Sequence, residues 1–406
     1  AARRRHEAAA AVTVLEARQR IGGRIHTDHS FAPTPIEHGA ELIHGEGAVT
    51  HQLLQAAGLT VAEVDRYGGL RWSAGGPAQP LAALPAPLRE LIQELYAAYH
   101  GLAELDVSAD RSLADELRAR GLGPDELAIA DVLLAQTCCA SIEQLSCADL
   151  ARELRADHAG RLEFRPIGGY GPLIAWLARD LSLVLGVPAQ VVRHGPRGVT
   201  VEAGERTYSA ERCIIALPVS VLAAGSIRFD PPLSPTKRDA IAAFATEPAT
   251  KLFFRFDRVR WDAGLAYMAH SGLFARWWTP AHHRPDVPLL CCYVTAERAR
   301  TVDALSDAEL LDQALAELAR LLGEPGIAAG CVAWRRAAWA TDPFALGGYA
   351  HLPPGSAAAR PVLAAPEGER LFFAGEATAY DTNPQTVHGA IESGWRAAAE
   401  ALAYDS

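Results

Sequence analysis

The stretch Leu371-Phe372-Phe373-Ala374-Gly375-Glu376-Ala377-Thr378 decides the fold, together with Thr386-Val387-His388-Gly389-Ala390-Ile391-Glu392-Ser393-Gly394 just after it. The first stretch is typical of a hydrophobic strand that runs into a small-residue turn with one acid. The second is typical of a turn that opens a helix. Open α/β folds hold phosphates and cofactor rings at such strand ends and helix N-termini. The tail therefore predicts an α/β fold with a cofactor at this edge.

A matching segment lies more than 300 residues earlier, as Val12-Thr13-Val14-Leu15-Glu16-Ala17-Arg18 and Ile21-Gly22-Gly23-Arg24. An acid that ends a strand, as Glu16 does, binds ribose hydroxyls in dinucleotide-binding folds; the alternative is a surface acid. The guanidinium groups of Arg18 and Arg24 beside a glycine turn suit a pyrophosphate; the alternative is a solvated basic loop. The two ends of the chain would have to meet at one cofactor.

The composition is that of an ordinary globular protein. The 406 residues suffice for two or three domains, with half of them hydrophobic and 21% charged. A net charge of -10 disfavours nucleic acid as the main partner and mildly favours a cationic small ligand. No apolar run reaches membrane-spanning length and no signal peptide is visible, so no membrane partner is predicted.

The cysteines show no metal-binding spacing. Among the seven cysteines, two pairs are directly adjacent, Cys138-Cys139 and Cys291-Cys292. We interpret the cysteines as reduced structural thiols and predict a cytoplasmic location and no metal site. Hydrolase and kinase functions find no support, because the sequence contains no Gly-x-Ser-x-Gly elbow and no Walker loop.

Hydrophobic periodicity gives a coarse map of the chain. The predicted helices cover residues 1–10, most of 51–160, 172–184, 306–322 and 386–404. The predicted strands are 12–16, a meander over 189–217, 252–256 and 289–294, and residues 351–367 form a Pro/Ala-rich connector.

Lys251 lies in the apolar run Ala249-Thr250-Lys251-Leu252-Phe253-Phe254, although only two of the 38 basic residues are lysines. A lysine that enters such a strand must face solvent, a carboxylate or a cavity, because an unpaired buried ammonium is costly. The alternative is a lysine on an edge strand.

Tyr349 follows two glycines, which would let a flat ligand approach the backbone closely. The alternative interpretation is that Tyr349 is a structural aromatic residue. His388 is interpreted as a polar group at the helix start.

Together these segments resemble the flavin-containing amine oxidase family, which includes monoamine oxidases, polyamine oxidases, L-amino acid oxidases and histone lysine demethylases. The match extends over nearly the whole chain and follows the family's order. Besides the segments quoted above, it is carried by Gly39-Ala40-Glu41-Leu42-Ile43-His44-Gly45, Gly168-Gly169-Tyr170, Ala216-Leu217-Pro218, Val221-Leu222 and Ile227-Arg228-Phe229-Asp230-Pro231-Pro232-Leu233.

The resemblance implies a FAD-binding Rossmann-like domain of the glutathione-reductase type, interleaved with an α+β substrate domain of mixed sheet and helices. The FAD-binding domain would comprise residues 1–60, 163–240 and 343–406, and the substrate-binding domain residues 61–162 and 241–342. The glycine-rich phosphate loop that the family places before the first quoted strand would lie upstream of residue 1.

The resemblance also implies roles for single residues. Glu16 would bind the adenosine ribose, Arg18 and Arg24 the phosphates and flavin, and Glu376 the ribityl–pyrophosphate region. Lys251 would hold a water near flavin N5. The complete predicted cofactor set is Glu16, Arg18, Gly23, Arg24, Gly39, Ala40, Glu41, Leu42, Ala189, Gly375, Glu376, Thr386, Val387 and Ala390.

The amine-binding cage departs from the monoamine oxidase pattern. Tyr349 matches one aromatic wall, but the other position is Thr386, in a Thr-Val-His-Gly-Ala segment like that of the histone demethylases and some bacterial branches. A half-open cage would admit bulkier or secondary amines. Gly348 stands where monoamine oxidases attach FAD through a cysteine, so non-covalent FAD is expected. Chromatin is not implied, because the demethylases' accessory segments are absent.

The implied reaction is oxidative deamination of a primary or secondary amine with O2, giving an aldehyde or keto acid, ammonia or an amine, and H2O2. Lys251, Tyr349 and Thr386 would form the catalytic site of a monomer or homodimer. The alternatives are a related FAD oxidoreductase, such as a desaturase or protoporphyrinogen oxidase, and a fragment without activity. Acidic side chains in the cavity would indicate polyamine substrates, and an arginine clamp would indicate amino acid substrates. The sequence leaves both possibilities open.

Overall fold

The computed structural model describes residues 1–7, 10–66, 68–106, 109–281 and 283–404, and the side chains of all of these except residues 5 and 6. Helices and short strands alternate along these ranges, as expected for a mixed α/β protein. Within them, no helix combines the length and the apolar character needed to cross a bilayer.

The helices are mostly short, and three of them, α3, α11 and α13, have 16 or 17 residues. Their bounds are Ala2–Glu7 (α1), Val49–Ala56 (α2), Ala86–Gly101 (α3), Leu113–Ala119 (α4), Pro124–Ala130 (α5), Cys147–Ala156 (α6), Gly171–Leu177 (α7), Val219–Ala223 (α8), Pro235–Ala243 (α9), Ala296–Ala304 (α10), Asp307–Leu322 (α11), Ala359–Ala364 (α12) and Val387–Ala403 (α13).

The strands belong to several small sheets and one large one. Their bounds are Thr13–Glu16 (β1), Thr27–Asp28 (β2), Ile36–Glu37 (β3), Ile43–His44 (β4), Val61–Val64 (β5), Leu70–Ser73 (β6), Gln79–Pro80 (β7), Glu163–Pro166 (β8), Ser182–Leu185 (β9), Ala189–Gly195 (β10), Gly198–Ala203 (β11), Arg206–Ala210 (β12), Cys213–Ile215 (β13), Arg228–Asp230 (β14), Ala245–Thr246 (β15), Ala249–Phe256 (β16), Tyr267–His270 (β17), Arg276–Trp278 (β18), Leu289–Thr295 (β19), Cys331–Ala338 (β20), Ala350–His351 (β21) and Leu371–Phe373 (β22).

The largest sheet has seven strands in the order β20-β16-β19-β18-β17-β6-β7. Strand β16 lies inside it, antiparallel to β19 on one side and β20 on the other. Successive side chains of a strand point to opposite faces. Leu252 therefore packs into one apolar cluster with α11, and Phe253 into another with α3 and α4. Because both faces are buried, this strand has a continuous apolar sequence instead of an alternating one.

Two parallel strand pairs bring distant parts of the chain together. Strand β1 pairs with β9, with Glu16 opposite Leu185, and β13 pairs with β22, with Ile215 opposite Phe373. The carboxyl ends of such strands are where open α/β folds bind ligands. Four further strands form the sheet β12-β11-β10-β14, which contains the predicted meander up to residue 210. The last part of the predicted meander is wrong, because β13 pairs with β22 instead. Division of the chain into the two predicted domains stays a prediction.

The predicted helix α11 is confirmed with its cap. The Ser306 side chain accepts a hydrogen bond from the Glu309 N–H at 3.4 Å, and the Glu309 carboxylate accepts one from the Ser306 N–H at 3.0 Å. This reciprocal capping box satisfies two N–H groups that have no partner inside the helix. The final helix, α13, is also confirmed, beginning at Val387 and ending at Ala403.

Three further predicted segments are wrong in part. Helix α7 ends at Leu177, and residues 182–184, the last part of the predicted helix over 172–184, belong to β9. Asp180 has a φ of 65°, which turns the chain out of the helix, and pairing with β1 then selects the strand. Residues 61–80 hold three strands within the predicted helical region over 51–160, and α12 lies within the predicted connector over 351–367.

Candidate active site

A cavity of about 1770 Å³ extends from the carboxyl end of β1 to one face of the seven-stranded sheet. Every residue that the sequence analysis assigned to cofactor binding or catalysis lines this cavity. Pockets for drug-sized ligands usually measure about 300–1,000 Å³. The cavity therefore has room for a large cofactor together with a substrate, while the roles of the single residues stay predictions.

At one end of the cavity, Glu16 closes β1. Its Oε1 accepts a hydrogen bond from the backbone N–H of Arg18 at 2.8 Å. The Arg18 guanidinium donates to Asp342 Oδ1 at 2.6 Å and lies over the Phe344 ring. Glu16 is thus held at the strand end, and its predicted role in binding a ribose stays a prediction.

Arg24 joins the two ends of the chain. Its Nη1 donates to the Gly348 carbonyl oxygen at 2.5 Å and lies 3.0 Å from Glu376 Oε1. Its own carbonyl oxygen accepts from the Ala40 N–H at 3.2 Å. The alternative of a solvated basic loop is therefore wrong for Arg24, and the predicted meeting of the two ends is confirmed.

Gly39 shows how closely these segments approach. A Cβ at this position would lie 1.8 Å from the Arg24 carbonyl oxygen, a separation that no side chain tolerates. Only glycine fits here, so the turn at residue 39 and the basic loop pack backbone against backbone at the cavity wall.

Both carboxylate oxygens of Glu376 accept hydrogen bonds from backbone N–H groups. Glu376 Oε1 accepts from the Ala350 N–H at 3.3 Å, and Oε2 accepts from the Gln385 N–H at 3.2 Å. Gly375, just before it, has a φ of 117°, a backbone conformation that favours glycine. The small-residue turn thereby fixes the acid between β21 and the start of α13.

Thr386 is the N-cap of α13. Its hydroxyl accepts from the Gly389 N–H at 2.9 Å and donates to the Asn383 carbonyl at 2.8 Å. His388 is buried, lies 3.2 Å from Asn383 Oδ1, and burial lowers its pKa to about 4. His388 is therefore neutral, and its interpretation as a polar group of the helix start agrees with this position.

The Lys251 ammonium donates to three acceptors: the carbonyl oxygens of Glu37 at 3.0 Å and Gly39 at 2.9 Å, and Glu41 Oε2 at 2.6 Å. The edge-strand alternative is wrong, because β16 lies between two strands. An ammonium has three N–H donors, and all three are used. The water that the resemblance places on Lys251 would bind only if one of these bonds opened.

Glu41 links Lys251 to two further groups. Its Oε1 lies 2.9 Å from Arg165 Nε and accepts from Trp278 Nε1 at 3.0 Å. Burial alone would raise the pKa of Glu41, but the charges of Lys251 and Arg165 outweigh it and hold that pKa below its usual value. Glu41 is therefore a carboxylate in a buried ionic cluster.

A second buried acid, Glu37, was not found from the sequence. Its Oε1 accepts from Thr27 Oγ1 and from the Tyr170 N–H, both at 2.6 Å. Its Oε2 has no hydrogen-bond partner in the described part of the chain. Burial raises the pKa of Glu37 to about 7, so this acid carries a proton below neutral pH.

Aromatic side chains form the wall above the sheet. The hydroxyl oxygens of Tyr349 and Tyr293 are 2.6 Å apart, and the Trp278 ring lies 5.9 Å from that of Tyr293. Burial raises the pKa of both tyrosine hydroxyls well above the ordinary value. Both therefore stay neutral and present uncharged rings to the cavity.

The seven cysteines are free, as predicted. Cys139, near the cavity, donates to the Glu247 carbonyl at 3.3 Å, and burial raises its pKa to about 12. It is therefore a poor nucleophile. In the ranges that the structure describes, no group of three or more His, Cys, Asp and Glu side chains could hold a metal ion.

Residues 1–402 match the family described as flavin-containing amine oxidoreductase. The chain belongs to this family. As a flavin-containing amine oxidoreductase it is an enzyme of flavin-dependent amine oxidation.

Curated relatives of this oxidoreductase extend over nearly all of it. Polyamine oxidase 4 of Oryza sativa subsp. japonica is 29% identical over 425 residues, which cover 98% of this chain and 85% of the relative. Lysine-specific histone demethylase 2 of Homo sapiens is 28% identical over 443 residues, which cover all of this chain and 52% of the relative.

Solved structures share its fold. Putrescine oxidase bound to putrescine superposes with a TM-score of 0.85 at 21% identity, with 98% of this chain and 95% of the other covered. Cyclohexylamine oxidase from Brevibacterium oxydans IH-35A gives a TM-score of 0.85 at 22% identity, with 100% and 96% covered.

The residues of this oxidoreductase fit a flavin cofactor. The cavity is large, the ends of two parallel strands open into it, and glycines with left-handed backbone stand at Gly22, Gly23 and Gly375. Glu16 offers a carboxylate at one end and Arg24 a guanidinium near the tail. A flat ring system and its phosphates need this combination of close backbone approach and fixed charges.

Sequence reasoning missed several residues of the oxidoreductase that line the cavity, namely Arg66, Arg165, Tyr267, Arg276, Trp278 and Tyr293. Most of them lie on strands that are buried on both faces and so show no alternation of polar and apolar residues. One signal was usable: Arg276 interrupts the apolar run over residues 273–281, and Lys251 was singled out on the same grounds.

Proposed function

We propose that this enzyme binds FAD non-covalently and oxidises a primary or secondary amine with O2 as the acceptor. Amine, water and O2 would give an aldehyde or keto acid, ammonia or a smaller amine, and H2O2. The observation that carries the proposal is the convergence of Lys251, Tyr349 and the Arg24–Glu376 pair on one cavity.

Bound FAD supplies the acceptance of two electrons from the amine and their transfer to O2. We assign its binding to Glu16 at the ribose, to Arg24 and Glu376 near the tail, and to the first turn of α13. Each of these groups is held by hydrogen bonds within the protein, so the binding surface is formed before a ligand arrives.

Lys251 would supply a fixed positive charge at the reacting end of the cavity. Its side chain is 7% exposed, and the Glu41 carboxylate lies 2.6 Å from its Nζ. Such a preorganised charge stabilises negative charge that develops during a reaction more effectively than water does. A compact ammonium suits this role better than a guanidinium, which explains a lysine in a chain that otherwise uses arginine.

Tyr349 and Tyr293 would form the uncharged wall against which the substrate packs and from which water is excluded. Thr386 leaves the opposite side open, because its short side chain is engaged in capping α13. A cage with one aromatic wall suits bulkier or secondary amines.

Gly348 supports non-covalent binding. A Cβ there would lie 2.6 Å from Cys139 Sγ and 2.7 Å from the Ala249 Cβ, so even an alanine is crowded. No cysteine side chain can occupy this position without rearrangement. Cys139 itself is held by backbone carbonyls and is a poor nucleophile.

The test is the visible spectrum of the purified protein, followed by peroxide assays with an amine panel that includes putrescine and cyclohexylamine. A flavin spectrum, yellow supernatant after acid precipitation, and peroxide formation with an amine are expected. A flavin that stays with the precipitate would contradict non-covalent binding. A flavoprotein that no amine reduces under anaerobic conditions would contradict the proposed reaction.

A further inference from the structure

We propose that the substrate is an amino acid, an amine that also carries a carboxylate, and that Arg276 binds this carboxylate. The inference rests on the proposed function, because it takes the cavity to be the site of amine oxidation. It concerns the end of the cavity that lies over β18 and β19, next to the Lys251–Glu41 pair.

Arg276 is buried without an anionic partner. It is 2% exposed, yet it lines the cavity. Its Nε donates to the Tyr267 hydroxyl. Its Nη1 has no hydrogen-bond partner, and no carboxylate among the described residues forms an ion pair with it. A buried guanidinium without an anion is unfavourable, so a ligand that brings a carboxylate would complete this site.

Arg360 shows how this fold treats a buried arginine that is structural. It is fully buried as well, and its Nη2 and Nε donate to the two oxygens of Asp149 at 2.6 and 3.2 Å. A planar guanidinium binds a carboxylate in this paired way. Arg276 has the same donors and lacks the acid.

The remaining charges at this end of the cavity are already paired and leave an excess of positive charge. Arg66 lies 3.8 Å from Glu163, and Glu41 is shared between Arg165 and Lys251. The four cationic groups here are Lys251, Arg165, Arg66 and Arg276. Among the described residues, the carboxylates of Glu41 and Glu163 pair with these groups, and Glu37 beside Lys251 carries a proton below about pH 7.

This excess disfavours a substrate with a second ammonium group. A diamine that reached from the aromatic wall towards β18 would place its far ammonium near the Arg276 guanidinium, where like charges repel at low dielectric. A carboxylate at that position would instead be attracted by the Arg276 guanidinium. The chain thus differs in charge pattern from what the names of its polyamine and putrescine oxidase relatives would suggest.

The sheet sets the distance between the two ends of the substrate. Lys251, Tyr293 and Arg276 stand opposite one another on the adjacent strands β16, β19 and β18 and point to the same face. Neighbouring strands are about 4.8 Å apart, so the backbones of Lys251 and Arg276 are about 10 Å apart. Tyr293 lies between them and reaches Tyr349. A small amino acid can therefore extend from Tyr349 to Arg276.

The experiment compares kcat/KM for peroxide formation across a size-matched panel: butylamine, putrescine, and α-, β-, γ- and δ-amino acids of four or five carbons. We expect a carboxylated amine to be preferred over butylamine and putrescine by roughly 100-fold or more. In the R276Q enzyme this preference should fall to less than about 5-fold, chiefly through KM. R276K should restore part of it, because a lysine keeps the charge and loses the paired geometry.

Arg71→Gln is the matched control, since Arg71 stands on β6 of the same sheet, pairs with Asp262 and does not line the cavity. R71Q should keep the wild-type preference. A second readout needs no turnover: butyrate should raise the thermal midpoint of the flavin-loaded wild type and leave that of R276Q unchanged. R276Q loses the hydrogen bond to Tyr267 and the contacts with the Tyr267 and Tyr293 rings but no protein anion, so its thermal midpoint should fall only slightly.

The outcomes separate the two proposals. If putrescine or butylamine is preferred, or if R276Q keeps the preference of the wild type, the carboxylate assignment is wrong while amine oxidation stands. If no member of the panel or of the wider amine set reduces the flavin, the proposed function itself fails. A large loss of thermal stability in R276Q without a change in the substrate ratio would make Arg276 a structural residue.

Discussion

The two lysines of this chain, Lys237 and Lys251, are both buried, with 3% and 6% of their surface exposed, and their surroundings differ. Lys237 donates to the carbonyl oxygens of residues 362, 363 and 365 at the end of α12 and lies 4.1 Å over the Phe373 ring. Lys251 instead has a carboxylate partner and faces the cavity. A lysine whose donors all close a helix end stabilises the fold, whereas one paired with an acid at a cavity wall is available for chemistry.

The largest effect on turnover is expected from the substitution Lys251→Met. We expect turnover to fall on the order of 100-fold, because a preorganised charge at the reacting end is lost. Anaerobic flavin reduction and reoxidation by O2 should be followed separately, so that the affected half-reaction is identified. Lys237→Met serves as the control, and turnover per flavin should be unchanged in it. Wild-type rates for both half-reactions in the Lys251 variant would show that the carboxylate pairing has no catalytic meaning.

Lys237→Met should act on stability instead. It keeps the apolar stem over Phe373 but leaves three backbone carbonyl groups without their donor, and each unsatisfied group costs about 1 kcal/mol or more. We expect the free energy of unfolding to fall by roughly 3 kcal/mol, as measured by denaturant titration. A stable variant with impaired turnover would reverse the roles of the two lysines.

The surroundings of the two lysines predict pH effects in different ranges. Burial lowers the pKa of Lys237 to about 8, whereas an acid near Lys251 titrates at and below neutral pH. Burial raises the pKa of Glu37 from 4.5 to about 7, so the folded chain holds a proton that the unfolded chain releases in this window. The free energy of unfolding should therefore fall as the pH rises from 4.5 to 7, by on the order of 2–3 kcal/mol from this group. Unfolding of wild type and Glu37→Gln at pH 5 and pH 8 should show a smaller pH difference in the variant.

That measurement isolates Glu37, because all other titrating groups are common to the two proteins. Equal pH differences in wild type and variant would mean that Glu37 is charged in the folded protein despite its unpartnered Oε2. A pH profile of turnover that shifts in the variant would, in addition, connect Glu37 with Lys251, which donates to its backbone carbonyl.

The smallest effects are expected at the rings under the two lysines. Phe373→Leu removes the aromatic face below Lys237 and should lower stability by about 1 kcal/mol without altering turnover. Trp278→Phe keeps an aromatic face near Lys251 and removes the donor to Glu41, so a fall in kcat/KM of roughly 5-fold is expected. Thermal unfolding and steady-state kinetics of both variants test these two expectations. A loss of turnover in Phe373→Leu, or a loss of stability alone in Trp278→Phe, would contradict the comparison of the two lysines.

The sequence was sufficient to mark Lys251 as unusual, since an ammonium in an apolar strand needs a partner. It was also sufficient to mark Glu41, through the family resemblance. Their pairing could not be predicted, because it joins residues 210 positions apart across two elements. The meeting of Arg24 with Glu376 was predictable only because both ends were expected at one cofactor.

Other features were decided by tertiary contacts that leave no local pattern. Residues 182–185 continue the apolar period of α7, and only the pairing with β1 makes them a strand. Arg276 stands out in the sequence only as an arginine within an apolar run, and the structure is needed to show that it has no acid partner among the described residues. Glu37 carries no sequence signal at all, because burial raises its pKa, against the opposite effect of its hydrogen bonds from Thr27 and Tyr170.

The burial of both lysines has a further consequence for an enzyme that would release carbonyl compounds. Aldehydes condense with exposed primary amines to form Schiff bases, and lysine is the side chain that reacts in this way. Here the folded surface presents guanidinium groups in place of lysine ammonium groups. Accumulating product would therefore find no lysine on the surface of the folded catalyst to modify, and glutaraldehyde or succinimidyl esters would be poor reagents for immobilising it through lysine.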